Sequence, residues 1–204
     1  LARSLRAVVD APLVLTYHTK YDVDIAKAVR GKLLQESAIR ALVQNIASCD
    51  EVWVVSRGAG ENLRSLGYEG DYIVMENGVD VPRGRVSDEA IAAATGRYDL
   101  PQNVPVFLFV GRLMWYKGIR IILDALKTLR EKNVDFRMVF VGEGADGAEI
   151  RSYAEERKLS DRCFFTGAIS DREIIRAWYG RSDLFLFPST FDTNGLVVRE
   201  AAAS

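Results

Sequence analysis

Short apolar runs alternate with longer amphipathic stretches from one end of the chain to the other. The runs are rich in β-branched and aromatic residues and too short for buried helices, so we expect strands. They occupy residues 12–17, 52–55, 72–75, 106–110, 136–141, 163–165 and 183–187. The stretches between them predict helices at about 24–47, 59–66, 88–97, 119–129 and 147–157, after a capping box at 170–173, and at about 195–204.

The strands are apolar throughout, which predicts that helices cover both faces of each sheet. Their regular alternation with helices predicts parallel sheets with right-handed connections. The expected fold class is therefore doubly wound α/β. Sheets of this class bind ligands at the carboxyl ends of their strands, so the loops that follow the strands are the places to look for chemistry.

The polar segment 81–105 holds three of the five prolines and predicts a domain boundary near its start. We place one Rossmann-like domain at residues 1–82 and a second at residues 83–204, because the strand–helix order repeats on both sides. Leu1 and Ser204 both fall inside helical patterns. We therefore expect the sequence to be a fragment of a longer protein.

The composition excludes several classes of protein. With 49% apolar and 27% charged residues, the 204-residue chain is typical of a soluble globular protein. Its net charge of −1 argues against a nucleic-acid binder but allows a small anionic ligand. Cys49 and Cys163 lack metal-ligand or redox spacing, so we expect a reduced, cytoplasmic compartment. No apolar run approaches the ~18–20 residues of a membrane span.

The loop after the predicted strand 106–110 carries two cations in front of a helix. Gly111 allows a sharp turn, and Arg112 and Lys117 lie just before the predicted N-terminus of the helix, which begins after Gly118. Backbone N–H groups at a helix N-terminus favour an anion, and arginine can bind phosphate oxygens in pairs. The spacing indicates a diphosphate site. Two surface cations in a loop would give the same pattern.

A second loop, 188–200, also joins a strand to a helix. Asp192 precedes the helix and Glu200 lies inside it, while Asn194 and Gly195 should expose backbone N–H groups at its start. A carboxylate can accept two hydrogen bonds from a vicinal diol such as a ribose, which suits Glu200. The alternative is that Asp192 only caps the helix and Glu200 is a solvated charge.

Two weaker loops and one histidine complete the set of candidates. Gly142 and Gly144 follow one strand, and the segment 166–170 follows the next. His18 is the only histidine and ends the first predicted strand. It is either a structural residue or a catalytic one. The chain has no second histidine, so we predict no metal site.

These loops, in this order, resemble the retaining glycosyltransferases with the two-Rossmann GT-B fold, often called family 4. The stretches that carry the resemblance are Thr16-Tyr-His-Thr19, Val54-Val-Ser56, Glu76-Asn-Gly-Val-Asp80, Val110-Gly-Arg-Leu-Met-Trp-Tyr-Lys-Gly118, Val141-Gly-Glu-Gly144, Phe164-Phe-Thr-Gly167, Phe187-Pro-Ser189 and Gly195-Leu-Val-Val-Arg-Glu-Ala201. The resemblance implies an acceptor-side domain at 1–82 and most of a donor-binding domain at 83–204.

The resemblance also implies roles for individual residues. Arg112 and Lys117 would bind the donor diphosphate and stabilise charge on the leaving nucleotide. Asp192 and His18 would face the donor sugar, and Glu200 would hold the ribose. The remaining donor-binding positions that it implies, including a loop that packs on the base, are Gly111, Gly142, Gly167, Ile169, Asn194, Gly195 and Leu196. Asp192 and Asn194 depart from the residues common in the family, which leaves the donor sugar open.

The implied activity is transfer of a hexose from a nucleotide diphosphate sugar to an acceptor hydroxyl with retention of configuration, with uridine as the expected base. No cofactor is implied, because the nucleotide sugar is a co-substrate. No metal is required if Arg112 and Lys117 stabilise the leaving diphosphate. Lipid, polysaccharide and small-molecule acceptors stay open, and so does a peripheral contact with a membrane. A non-catalytic nucleotide-sugar-binding module, a nucleotide-sugar epimerase and a phosphorylase of the same fold are the alternatives.

Overall fold

The computed structural model describes residues 4, 8, 10–80 and 84–204. These residues form two compact units. The first takes the chain up to Gly78 together with Asp192–Asn194, and the second takes Val79–Phe191 and Gly195–Ser204. The predicted boundary between residues 82 and 83, and the predicted helix at Leu1, lie outside the described residues. Asp192–Asn194, which the sequence analysis assigns to the second domain, group with the first unit.

The first unit contains a parallel three-stranded sheet. Its strands, in the spatial order β1-β2-β3, are β1 (Val14–Tyr17), β2 (Glu51–Val54) and β3 (Ile73–Val74). Its helices are α1 (Tyr21–Ala28), α2 (Lys32–Ile46) and α3 (Arg57–Ser65). The core of this unit includes Tyr17, Val54 and Leu63, all fully buried.

The single helix predicted at 24–47 is wrong, because the chain breaks between α1 and α2. Gly31 has a φ of 97°, a conformation that glycine adopts without strain and other residues avoid. The side-chain amide of Gln35 donates a hydrogen bond of 2.8 Å to the Val29 carbonyl inside this break. The break is therefore stabilised by a specific contact as well as by the glycine.

The second unit contains a parallel four-stranded sheet with the spatial order β6-β5-β4-β7. The strands are β4 (Val106–Val110), β5 (Arg137–Val141), β6 (Cys163–Gly167) and β7 (Leu184–Phe185). The helices are α4 (Asp88–Thr95), α5 (Ile119–Glu131), α6 (Gly147–Glu156), α7 (Arg172–Arg181) and α8 (Leu196–Ala203). A 3₁₀ turn, Trp115–Lys117, precedes α5.

Alternate residues of β4 pack into different hydrophobic clusters. Phe109 belongs to a cluster with residues of α5 and α6, whereas Leu108 belongs to one with Trp178 and Tyr179 of α7. Both faces of the strand are thus covered by helices, which explains why its sequence is apolar at every position. The doubly wound α/β prediction is confirmed for this unit.

The strand order reverses at β4. The chain passes from β4 to β5 and β6 on one side and then returns to place β7 on the other side of β4. In open α/β sheets the ligand crevice lies at the carboxyl ends of the strands where the order reverses. The loop after β4 begins at Gly111 and the loop after β7 includes Pro188, so both candidate loops start at this point.

Candidate functional site

Three of the predicted glycines meet at one edge of the second sheet. The Gly142 N–H donates to the Gly167 carbonyl at 2.9 Å, and the Gly111 N–H donates to the Val141 carbonyl at 3.0 Å. A Cβ atom on Gly142 would lie 2.0 Å from the Gly111 carbonyl oxygen, and the φ of Gly142 is 134°. Close packing of neighbouring loop backbones therefore requires glycine at position 142.

The two predicted cations lie around one aromatic ring. The guanidinium carbon of Arg112 lies 6.0 Å from the centroid of the Tyr116 ring, and the Lys117 Nζ lies 5.4 Å from the same centroid. Arg112 is exposed, whereas Lys117 is only 9% exposed. Gly118, with a φ of 78°, follows at once and precedes the first turn of α5. Both cations thus approach the same ring in the segment that leads into α5, whose N-terminal backbone N–H groups favour an anion.

The loop after β7 runs beside this cation-bearing loop. A Cβ atom on Gly118 would lie 2.9 Å from both Cγ and the carbonyl oxygen of Pro188, so the two backbones are in close contact. Further along, the Phe191 ring lies 5.1 Å from the Tyr116 ring, centroid to centroid. Tyr116 is a residue that the sequence analysis did not single out. No local pattern distinguishes it from an ordinary surface tyrosine.

Glu200 lies on α8 and contacts a buried tyrosine. The Tyr179 hydroxyl, on α7, donates a hydrogen bond of 3.3 Å to Oε2 of Glu200. Burial, together with the Glu200 carboxylate, raises the pKa of Tyr179 above its ordinary value, so the hydroxyl stays protonated and can donate. Glu200 is half-buried and accepts a hydrogen bond from Tyr179, so it is not merely a solvated charge. No spacing in the sequence points to Tyr179, because the contact joins two helices.

The start of α8 is occupied by glycine. Gly195 holds the N-cap position and Leu196 is the first helical residue, so Asp192 is not the cap of this helix. A Cβ atom on Gly195 would lie 2.9 Å from the Phe187 ring, which shows how closely the helix start approaches the loop after β7. Ile169 is half-buried against the cluster that contains Tyr179.

The structure places Asp192, Asn194 and His18 in the first unit. The Thr193 hydroxyl donates to the His18 carbonyl, and the Ser56 hydroxyl donates to the Thr193 carbonyl at 2.7 Å. The Asn194 side-chain amide donates to the Val55 carbonyl at 3.1 Å. These contacts hold residues 192–194 at the ends of β1 and β2, and they explain why the segment groups with this unit.

The remaining features of the described residues bear on chemistry only indirectly. Burial raises the pKa of the Cys163 thiol to about 12, which makes it an unreactive core residue. Within the part of the chain that the structure describes, no helix is long and apolar enough to cross a membrane.

The sequence is similar to members of a known protein family. Residues 92–204 match the family Glycosyl transferases group 1. The chain is 24% identical to alpha-monoglucosyldiacylglycerol synthase from Streptococcus pneumoniae, over 100% of this chain and 46% of that protein. It is 31% identical to D-inositol 3-phosphate glycosyltransferase from Xylanimonas cellulosilytica, over 95% of this chain and 48% of that protein. The chain thus spans about half the length of the curated relatives it matches.

A solved structure shares the fold. HepE from Anabaena, in complex with UDP, superposes with a TM-score of 0.78 over 98% of this chain and 53% of that chain, at 21% identity. This likeness confirms the α/β architecture with parallel sheets. Because the family match covers more than half of the residues, the chain belongs to the glycosyl transferases group 1, the family-4 type of GT-B glycosyltransferase.

Proposed function

We propose that the protein of which this chain forms a part transfers a hexose from a UDP-sugar to an acceptor hydroxyl with retention of configuration. One observation carries the proposal: Arg112 and Lys117 lie around the Tyr116 ring at the N-terminal end of α5. Family membership gives the reaction class. The choice of uridine is supported by HepE, which is a structural neighbour solved with UDP.

The chemistry asked of the two cations is electrostatic. When the bond between the sugar and the diphosphate breaks, negative charge grows on the departing phosphate oxygens. Arg112 can grip two oxygens with its planar guanidinium, and Lys117, which is nearly buried, acts as a fixed point charge in a site of low dielectric. Together with the helix N-terminus they stabilise the leaving nucleotide without a divalent metal.

The carboxylate of Glu200 is assigned to the ribose of the nucleotide. Tyr179 occupies Oε2, which leaves Oε1 and the second lone pair of Oε2 to accept hydrogen bonds from the two ribose hydroxyls. The amides at Gly195 and Leu196 begin α8 and are assigned to the donor as well. Asp192 and His18 keep the role toward the donor sugar that the family resemblance implies.

The acceptor is assigned only as a hydroxyl compound. The names of two relatives differ in this respect, one being a synthase of a glucosylated diacylglycerol and the other a glycosyltransferase of inositol phosphate. A lipid acceptor would bring the protein to a membrane surface, and a polyol acceptor would not.

Binding of UDP to the chain, measured by titration calorimetry, tests the donor site. Arg112→Ala and Lys117→Ala should each weaken binding by about tenfold or more, since a hydrogen bond to a charged group contributes about 1.5–3 kcal/mol. Lys127→Ala is the matched control, because Lys127 lies toward the far end of α5 and pairs with Glu131. Equal affinities for all four proteins would contradict the assignment.

Turnover separates an enzyme from a binding module. The protein should release UDP from UDP-glucose, slowly to water and faster with an acceptor alcohol. Arg112→Ala should lower the rate on the order of 10²–10³-fold, by analogy with loss of a donor that stabilises a developing anion. A protein that binds UDP tightly and releases none from UDP-glucose would be a nucleotide-sugar-binding module instead.

A further inference from the structure

Trp115 lies between Arg112 and Lys117 in the loop after β4, and three contacts hold it. Its backbone N–H donates to Oδ2 of Asp146 at 2.8 Å, and its indole Nε1–H donates to Oε2 of Glu149 at 2.6 Å. The guanidinium carbon of Arg120 lies 4.5 Å from the centroid of the Trp115 ring. Both the backbone and the side chain of this residue are therefore fixed from outside the loop.

The Asp146 side chain binds the loop and does not cap its own helix. Asp146 occupies the N-cap position of α6, where an aspartate usually accepts a hydrogen bond from an amide of its own helix. Among the described residues of α6, none donates to this side chain. The carboxylate binds the Trp115 amide instead. The Asp146 side chain therefore stabilises the loop after β4 and not the start of α6.

The backbone on both sides of Leu113 is held by the same segment. The Leu113 N–H donates to the Glu143 carbonyl at 3.0 Å, and the Leu113 carbonyl accepts from the Asp146 N–H at 3.3 Å. A Cβ atom on Gly144 would lie 2.3 Å from the Leu113 carbonyl oxygen, so a side chain at position 144 would clash with the loop. The segment between β5 and α6 thus forms hydrogen bonds with the loop after β4 at two residues, Leu113 and Trp115.

Arg120, on α5, also contacts Trp115. Its guanidinium carbon lies 4.5 Å from the centroid of the Trp115 ring and 4.4 Å from that of the Tyr153 ring. The two rings themselves meet edge to face at 5.4 Å. The Tyr153 hydroxyl in turn donates to Asp124 of α5 at 2.9 Å. The loop is thereby in contact with both α5 and α6.

We propose that Asp146, Glu149 and Arg120 are positioning residues that hold Trp115 and so fix the loop carrying Arg112 and Lys117 before the donor arrives. This inference rests on the proposed function, because it assigns the diphosphate to those two cations. Long cationic side chains on a free loop would lose conformational entropy when they close on a ligand. A loop that is already fixed avoids much of that loss, which strengthens binding of the diphosphate.

The first test compares UDP with uridine, which lacks both phosphates. Asp146→Ala and Glu149→Ala should each weaken UDP binding by about tenfold and change uridine binding by less than about twofold. Asp146→Asn and Glu149→Gln keep an oxygen that can accept the Trp115 N–H groups, so they should recover affinity to within about threefold of wild type. Asp161→Ala is the matched control, since it removes a carboxylate that pairs with Arg130 elsewhere in the same unit.

The second test needs no ligand. Hydrogen exchange of the wild-type and Asp146→Ala chains, followed on peptides that span residues 111–118, should be about tenfold faster in the variant at the Trp115 amide. A wild-type chain that binds no UDP would defeat the proposed function and the role assigned to the loop with it. A chain that binds UDP, and whose Asp146→Ala variant shows wild-type exchange and wild-type UDP affinity, would overturn the positioning role alone.

Discussion

The contact between Tyr179 and Glu200 gives the sharpest prediction about the ribose side of the site. Tyr179→Phe removes one hydroxyl and leaves the ring in place. The tyrosine is 6% exposed and packs with Val139 and Trp178, so phenylalanine fills nearly the same volume and creates no large cavity. The variant therefore isolates the hydrogen bond to Oε2 of Glu200.

The size of the effect follows from the geometry of that bond. A hydrogen bond to a charged group contributes about 1.5–3 kcal/mol, but the 3.3 Å between the two oxygens is longer than the usual range for O–H···O. We therefore expect a loss of about 1 kcal/mol in the free energy of unfolding. If Glu200 orients the ribose, UDP binding should weaken by about fivefold, which corresponds to a similar free energy.

Calorimetric titration of UDP and urea denaturation measure the two effects. Tyr98→Phe is the matched control, because Tyr98 packs against Trp178 at 5.2 Å in the same cluster and its hydroxyl accepts from Arg97. Tyr98→Phe should leave UDP affinity within about twofold of wild type. If Tyr179→Phe binds UDP as wild type does, or if both variants weaken binding equally, Tyr179 does not orient Glu200 for a ligand.

Three further predictions concern stability, pH and metal. Gly142→Ala should lower the free energy of unfolding by about 3 kcal/mol or more in urea denaturation, because its Cβ would lie 2.0 Å from the Gly111 carbonyl oxygen; a loss below about 1 kcal/mol would show that the loops can separate freely. Burial raises the pKa of Tyr17 from 10.0 to about 12, so the hydroxyl loses its proton at lower pH in the unfolded chain than in the folded one. The free energy of unfolding should therefore fall as the pH rises from about 10 to about 12, and it should fall less steeply in Tyr17→Phe. The same pH dependence in both proteins would contradict the shift. UDP affinity and UDP release should stay within about twofold in EDTA, since protein cations neutralise the diphosphate; a larger loss restored by Mg²⁺ would require a metal.

The strands and their order of appearance could be predicted from the sequence because their signal is local. Residues 106–110 are apolar at every position, and the structure forms β4 at Val106–Val110. The amphipathic pattern that follows predicts a helix from residue 119, and α5 begins at Ile119. In each case the pattern and the physical cause lie within a few consecutive residues.

The errors arise where a local pattern has two outcomes. A glycine inside a helical pattern either is tolerated or breaks the helix, and Gly31 breaks it. The capping box predicted at Ser170 is wrong, because the N-cap of α7 is Asp171, whose side chain accepts from the Glu173 and Ile174 amides. Ser170 and Asp171 both carry a side-chain oxygen that can cap a helix, and the local sequence does not select between them.

The parts of the site that escaped prediction depend on contacts between distant segments. Trp115 and Asp146 are far apart in sequence, as are Tyr179 and Glu200, and no spacing rule links either pair. The same applies to Thr193, which joins the first unit through Ser56. Arg112, Lys117 and Glu200 could be selected because strand-end loops of parallel sheets are known places for ligands. No comparable sequence pattern marks the residues that contact these loops, such as Asp146 and Tyr179.

A crystal structure of the chain with UDP would locate the diphosphate. We expect its oxygens to lie within hydrogen-bonding distance of both Arg112 and Lys117, in front of the N-terminus of α5, with the ribose hydroxyls on Glu200. A diphosphate bound elsewhere on the second unit, with the Arg112 and Lys117 side chains making no contact to it, would show that these two residues do not form the donor site.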